Sequence, residues 1–166
     1  MAISATPEQV VARRQPAVVV LISVLFFLGI TALGGGMAMV FGLGGGEVAI
    51  PSEWLEGIPL VQSWLVPGLV LGIGFGIGSL MTGVGMMRRM RWGRLAFLER
   101  WTGCHWSWAV AMIIGFAHMV WIGLELAYLP ELSWLQPLYG AVAVALFTLP
   151  WLPSVRRALA TGEGSA

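Results

Sequence analysis

Four stretches of the chain are apolar at nearly every position: about residues 17–43, 64–87, 101–128 and 135–155. None shows the alternation of a half-buried strand, and none sets a polar face opposite an apolar stripe. A helix that is apolar all round is buried in protein or in lipid, and about 20 such residues cross a hydrocarbon core. The first three stretches exceed that length and the fourth just reaches it. The pattern predicts an all-α polytopic membrane protein with four transmembrane helices in an up-down bundle. Pro67 and Pro137 stand where two helices re-enter the membrane, a position at which the missing N–H has no intrahelical partner. Pro150 and Pro153 kink or end the fourth helix. The remaining residues divide into an N-terminal tail (1–16), an outer loop at the interface (44–63), a basic inner loop (88–100) and a C-terminal tail (156–166).

Composition narrows the class. Of 166 residues, 58% are hydrophobic and 10% charged, against about a quarter charged in soluble domains. A short chain keeps much of its surface exposed when folded, so an ordinary soluble globule and a disordered chain are excluded. The single cysteine, Cys104, excludes a disulfide-stapled module. The apolar run after Arg13 and Arg14 is far longer than the roughly 7–15 residues of a signal-peptide core, so it reads as a retained anchor.

The charge distribution sets an orientation. Every basic residue is an arginine: Arg13 and Arg14, then Arg88, Arg89, Arg91, Arg94 and Arg100, then Arg156 and Arg157. The other two loops hold Glu47, Glu53, Glu56 and Glu131 and no basic residue. Basic loops stay cytoplasmic, which predicts an inner-membrane protein with both termini and the central loop inside. The central loop, with five arginines against Glu99, attracts anionic lipid headgroups at about 1 kcal/mol per nearby basic residue, or serves topology alone. No continuous basic face with interleaved polar contacts is present, so no nucleic-acid partner is expected. In the outer loop, Pro51 opens a short helix that Gly57 ends, with Trp54, Leu55, Ile58, Leu60 and Trp64 at headgroup level and Glu53 and Glu56 in water. It reads as an interfacial cap or as a lid over a ligand.

Glycines recur at helical spacing. Gly68, Gly72 and Gly76 form one series four apart in the second span, and Gly74 and Gly78, then Thr82, form another, with Gly34, Gly35, Gly36 and Ala38 on the first span as a partner surface. Small residues four apart let helices approach closely. They are not phosphate loops, because no strand precedes them.

Two ionisable residues lie within spans, His118 and Glu125, seven apart and so on one helix face. With a span centred near Gly115, His118 is ~4 Å and Glu125 ~14 Å from mid-depth. Intramembrane ionisable groups are candidate sites for a ligand or a proton. A structural His118, satisfied by Ser107, Thr148 or a backbone carbonyl, is the competing reading. Cys104 and His105 are weaker candidates for redox or nucleophilic chemistry. Adjacent helical residues point about 100° apart, and no second pair supplies zinc spacing. Aspartate is absent, no catalytic set is visible, and no metal or cofactor is expected.

Leu55-Glu56-Gly57-Ile58-Pro59, Trp64-Leu65-Val66-Pro67-Gly68, Ser133-Trp134-Leu135-Gln136-Pro137-Leu138-Tyr139-Gly140 and the Gly35-Gly36 pair resemble the signatures of a family of small, uncharacterised bacterial four-helix integral membrane proteins. The resemblance spans most of residues 17–150 and implies a four-span bundle with no assigned activity. Three functions are open. The first is a non-enzymatic packing or accessory subunit, joined to other membrane subunits or to copies of itself. The second is a small-ligand, lipid or proton site around His118 and Glu125. The third is a membrane redox protein or enzyme using Cys104 and His105.

Overall fold

Proline and glycine punctuate helices whose interiors carry almost no competing polar group. In the computed structural model, which describes residues 15–42, 63–129 and 133–161, α1 (Pro16–Phe41) starts with proline in its first turn. It ends at Gly42, whose φ of 60° forms a left-handed cap with its N–H on the Ala38 carbonyl. α2 (Leu65–Arg88) is one continuous helix of 24 residues. Its middle, Val70–Ile77, is wound as a π-helix. A short 3₁₀ turn (Gly93–Leu95) leads into α3 (Ala96–Thr102), and α4 follows as Trp106–Tyr128. α5 (Leu135–Thr148) runs into a 3₁₀ turn through Trp151, and the chain then bends by 66° into α6 (Pro153–Leu159). Among the described residues there is no strand, only an antiparallel bridge between Cys104 and Ala160.

The fold is all-helical. α1, α2 and α4 are each long and apolar enough to cross a membrane, and α5 with α6 makes a fourth if the bent pair is one span. The buried residues of α1 (Val18, Leu21, Ile22, Leu25, Leu28, Gly29, Ala32, Gly36) follow a helical period. The opposite face is apolar as well, with Phe27, Ile30, Met37 and Phe41 exposed. That surface suits lipid and not water. The tail arginines Arg13 and Arg14, most of the outer loop with Trp54, Glu47, Glu53 and Glu56, and the loop residue Glu131 lie outside the described residues, as does the Leu55–Pro59 signature.

α1 packs along α2, α2 against α4, α4 along α5, and α1 touches α5 and α6. The α1–α2 seam is set by glycine. A Cβ on Gly36 would sit 2.6 Å from the Gly68 carbonyl oxygen and from the Gly72 nitrogen. One on Gly76 would sit 2.8 Å from Leu33 Cγ, and Gly35 faces Leu71. Of the two glycine series in α2, Gly68, Gly72 and Gly76 meet α1, while Gly74 faces open space and Gly78 has only ordinary contact with Ile114. Gly115 does the same for α4 and α5: its Cβ would lie 2.6 Å from the Phe147 nitrogen.

The third long apolar helix, α4, starts at Trp106 and not near residue 101. Gly103 adopts a φ of 66° that ends α3, and His105 then caps a new helix. The fourth element departs from a straight helix where expected. Pro153 has no N–H and cannot continue the ladder; the Pro150 carbonyl left near the break accepts instead from Trp108 Nε1 at 2.7 Å.

Because the clash at position 36 is with backbone, Gly36→Ala should lower stability by about 1–3 kcal/mol, whereas Gly74→Ala should leave it unchanged. Unfolding of both variants in one detergent, followed by circular dichroism, checks this. Equal losses would place the seam elsewhere.

Candidate functional site

α4 carries the chemistry because its inward face does. Ala111, Ile114, Gly115, His118 and Ile122 are buried in helical register, so His118 enters the core for the same geometric reason as its apolar neighbours. A helix of Trp106–Tyr128 is centred at position 117. His118 therefore lies ~1.5 Å from its midpoint, closer than a span from residue 101 would put it.

His118 is 2% exposed, and neither ring nitrogen has a hydrogen-bond partner. Ser107, one expected partner, is bonded to His105. Thr148, the other, donates to the Val144 carbonyl. Aromatic rings surround the imidazole instead. Phe75 meets it edge-on with centroids 4.9 Å apart, and Tyr139 does so at 5.9 Å. Phe75 also contacts Trp121. Such ring contacts are weaker than a hydrogen bond, and an unpaired polar group in hydrocarbon is costly. Phe75 belongs to the π-wound segment of α2, so the widened turn presents its ring to the histidine. π-turns are rare and are often found at functional sites. Trp64 Nε1 and Ser79 Oγ are the other buried unpartnered polar atoms among the described residues.

Two turns farther along α4, Glu125 is satisfied. It accepts from Trp121 Nε1 at 2.5 Å, and the Gln136 side chain bonds to it as well. Gln136 in turn accepts at Oε1 from the Ser133 N–H at 2.8 Å and from its hydroxyl at 2.9 Å. The shared face of His118 and Glu125 thus holds one orphaned group and one committed group. The sequence reading missed Gln136, Phe75 and Tyr139; only Gln136 had a signal, as a polar residue on an otherwise apolar helix.

At the other end of α4, His105 Nδ1 accepts from Ser107 Oγ at 2.8 Å and from the Ser107 N–H, capping the helix, while Nε2 donates to the Met90 carbonyl at 3.0 Å. That carbonyl also accepts from Trp106 Nε1 at 2.6 Å. Glu99 Oε1 accepts from the Trp106 N–H and stands 4.0 Å from His105 Nε2. Both imidazole nitrogens are committed. Cys104 is buried, and its backbone segment is tied to the C-terminus by His105 N–H to Leu159 O (2.7 Å) and Thr161 N–H to Gly103 O (3.0 Å). The Cys104–His105 pair is a structural junction in this geometry, and no group of three or more His, Cys, Asp or Glu able to hold a metal occurs among the described residues.

Burial holds the His105 imidazole below its ordinary pKa, reinforced by Arg89 and Arg91 and partly offset by its bond to Met90 and by Glu99. Of the loop arginines, Arg89, Arg91 and Arg100 line a cavity of about 600 Å³ beside this junction, and Arg88 and Arg94 do not.

No family model matches the chain, and no curated protein or solved structure matches it.

Two outcomes follow from these environments. Replacing an unpartnered imidazole by a ring of similar shape removes a desolvation cost, so His118→Phe should stabilise ligand-stripped protein by about 1–3 kcal/mol. A loss of stability would mean that His118 has a partner. For His105, the folded pKa lies below the unfolded value, so the unfolded state takes up the proton first. Its share of stability is constant at neutral pH and falls as pH drops through about 6.5. His105→Asn keeps a capping acceptor and removes the titration. Its melting temperature should fall less between pH 7 and pH 5 than the parent's, and an identical slope would remove His105 from the acid response.

Proposed function

We propose that the chain is a multi-pass inner-membrane protein that binds a membrane-soluble ligand at His118 and catalyses no reaction. In this reading α1, α2, α4 and the bent α5–α6 pair form an up-down four-helix bundle. Both termini and the arginine-bearing segment between α2 and α4 face the cytoplasm. The arginine distribution supports the orientation, and the closed ring of helix contacts supports the bundle.

The observation that carries the ligand reading is the pair of unpartnered nitrogens on a fully enclosed histidine near the middle of α4. A residue that only filled space there would be leucine or phenylalanine at lower cost. The imidazole offers one donor and one acceptor. Its aromatic walls suit a flat or apolar body, so the fitting ligand is a lipid-soluble molecule with a carbonyl or hydroxyl head. Access is lateral. A groove of about 300 Å³ lies between α1 and α5, lined by Val19, Val20, Ser23, Val24, Phe27 and Val142. Phe27, on its wall, stacks on Tyr139 at 6.1 Å, and Tyr139 contacts His118. Movement of the Tyr139 ring joins groove and histidine.

A second reading, an accessory subunit that acts by packing, is favoured by Gly34, Gly74, Gly123 and Gly140. A Cβ on any of them would meet nothing within 4 Å, so they offer close approach to another helix or to a second copy of this chain.

Organic extraction of protein purified in mild detergent, followed by mass spectrometry, separates the two. The ligand reading expects one lipid-soluble species in near-stoichiometric amount in the parent and its loss in His118→Phe, with the fold intact. The same extract from both proteins would refute it. Loss of a co-purifying subunit in Gly34→Leu or Gly74→Leu, with the monomer fold unchanged, would establish the packing role.

A further inference from the structure

The loop arginines are not equivalent. Arg89, Arg91 and Arg100 share one cavity of about 600 Å³, with Glu99, His105 and Thr161 on its other walls. Those walls come from the end of α2, from α3, from the cap of α4 and from the strand-like residues after α6. Arg89 is held there against its backbone preference. Its φ is 52°, in the left-handed region where a helix cap is usually glycine. It is fixed by donation from Nη2 to the Ala158 carbonyl and by the Met90 N–H on Gly85 O at 3.1 Å.

Three arginines line the cavity with one carboxylate, Glu99, and that carboxylate already accepts from the Trp106 N–H. His105 adds no acceptor, since Nδ1 is occupied by Ser107 and Nε2 is a donor. The cavity therefore has an excess of charged, forked donors and few acceptors. Such a set matches phosphate oxygens, which guanidinium groups bind in bidentate fashion.

The surroundings indicate how the phosphate arrives. Phe97 and Trp101 on α3 are exposed, the latter 88% so, and Trp92 is also exposed. Exposed tryptophan clustered with arginine at the end of apolar spans marks the headgroup level of a bilayer. A soluble phosphate site has no use for these rings, whereas a site filled from the bilayer needs an anchor at that depth.

We propose that this cavity is a binding site for the phosphate of an anionic membrane lipid. The proposal rests on the membrane reading and is independent of any ligand at His118.

Native mass spectrometry of the full chain in neutral-detergent micelles tests it, with phosphatidylglycerol, phosphatidylcholine and inorganic phosphate as probes. One phosphatidylglycerol adduct is expected, stronger than any phosphatidylcholine adduct. Arg91→Gln with Arg100→Gln should weaken it about tenfold. Arg88→Gln with Arg94→Gln, the same charge change outside the cavity, should leave it within about twofold. If the glutamine pair disturbs folding, Arg91→Lys with Arg100→Lys keeps the charge and removes the fork, and should still weaken the adduct. Equal losses in the inside and outside pairs would mean diffuse attraction and overturn the site. Equal binding of phosphatidylcholine would overturn the anionic preference, and inorganic phosphate binding as tightly as the lipid would overturn the lipid source.

Discussion

A polar group inside hydrocarbon has no water to turn to, and most of this structure is arranged around that constraint. Backbone groups are satisfied within helices, and hydroxyls fold back onto their own ladder: Thr31, Thr82 and Thr148 each donate to the carbonyl four residues earlier. Where proline bends the chain, an indole N–H from α4 takes the Pro150 carbonyl. Where a carboxylate enters a span, an indole and an amide side chain meet it. His118 departs from this rule in a way a rotating hydroxyl such as Ser79 does not, because an imidazole cannot swing its nitrogens toward a helical carbonyl without moving its ring. That departure gives the residue its functional weight.

Close approach is the second theme, and it serves the first. With lipid as apolar as leucine, helices gain little from apolar burial and must gain from contact. The Gly36–Gly68–Gly72 crossing brings two backbones together, and the Gly115 crossing brings α4 to α5. The π-wound stretch of α2 contains Gly72 and Gly76 of the α1 seam and Phe75 between them. One helix thereby keeps its glycine seam on α1 while turning Phe75 toward α4.

Much of the architecture was legible in the sequence. Apolar runs pointed to an all-helical chain with three or four helices long and apolar enough to cross a membrane, and Pro150 and Pro153 announced the bend. The break at residues 103–105 was missed although Thr102, Gly103 and His105 interrupt the apolar run there, and Gly103 after Arg100 is a helix-ending signal. Two glycine series had equal spacing, and periodicity could not tell which would pack. Gly115 belongs to a Ser107–Ala111–Gly115 series four apart, which a search for glycine alone passed over. At the site, the shared face of His118 and Glu125 followed from their separation by seven. Their opposite fates, one orphaned and one bonded, depend on Phe75, Tyr139 and Gln136, which reach α4 from other helices. The arginine cavity likewise needs the segment from Arg89 to His105 to meet Ala160 and Thr161 from the far end of the described chain.

The bridge between Cys104 and Ala160 has a consequence for how motion spreads through the molecule. Gly103 and His105, which lead into α4, are hydrogen-bonded to residues 161 and 159. These two bonds clasp residues 103–161 into a closed loop that contains α4, α5 and α6. A displacement of the bent end of α5–α6 is therefore transmitted directly to the His105 cap, and the three helices shift together or not at all.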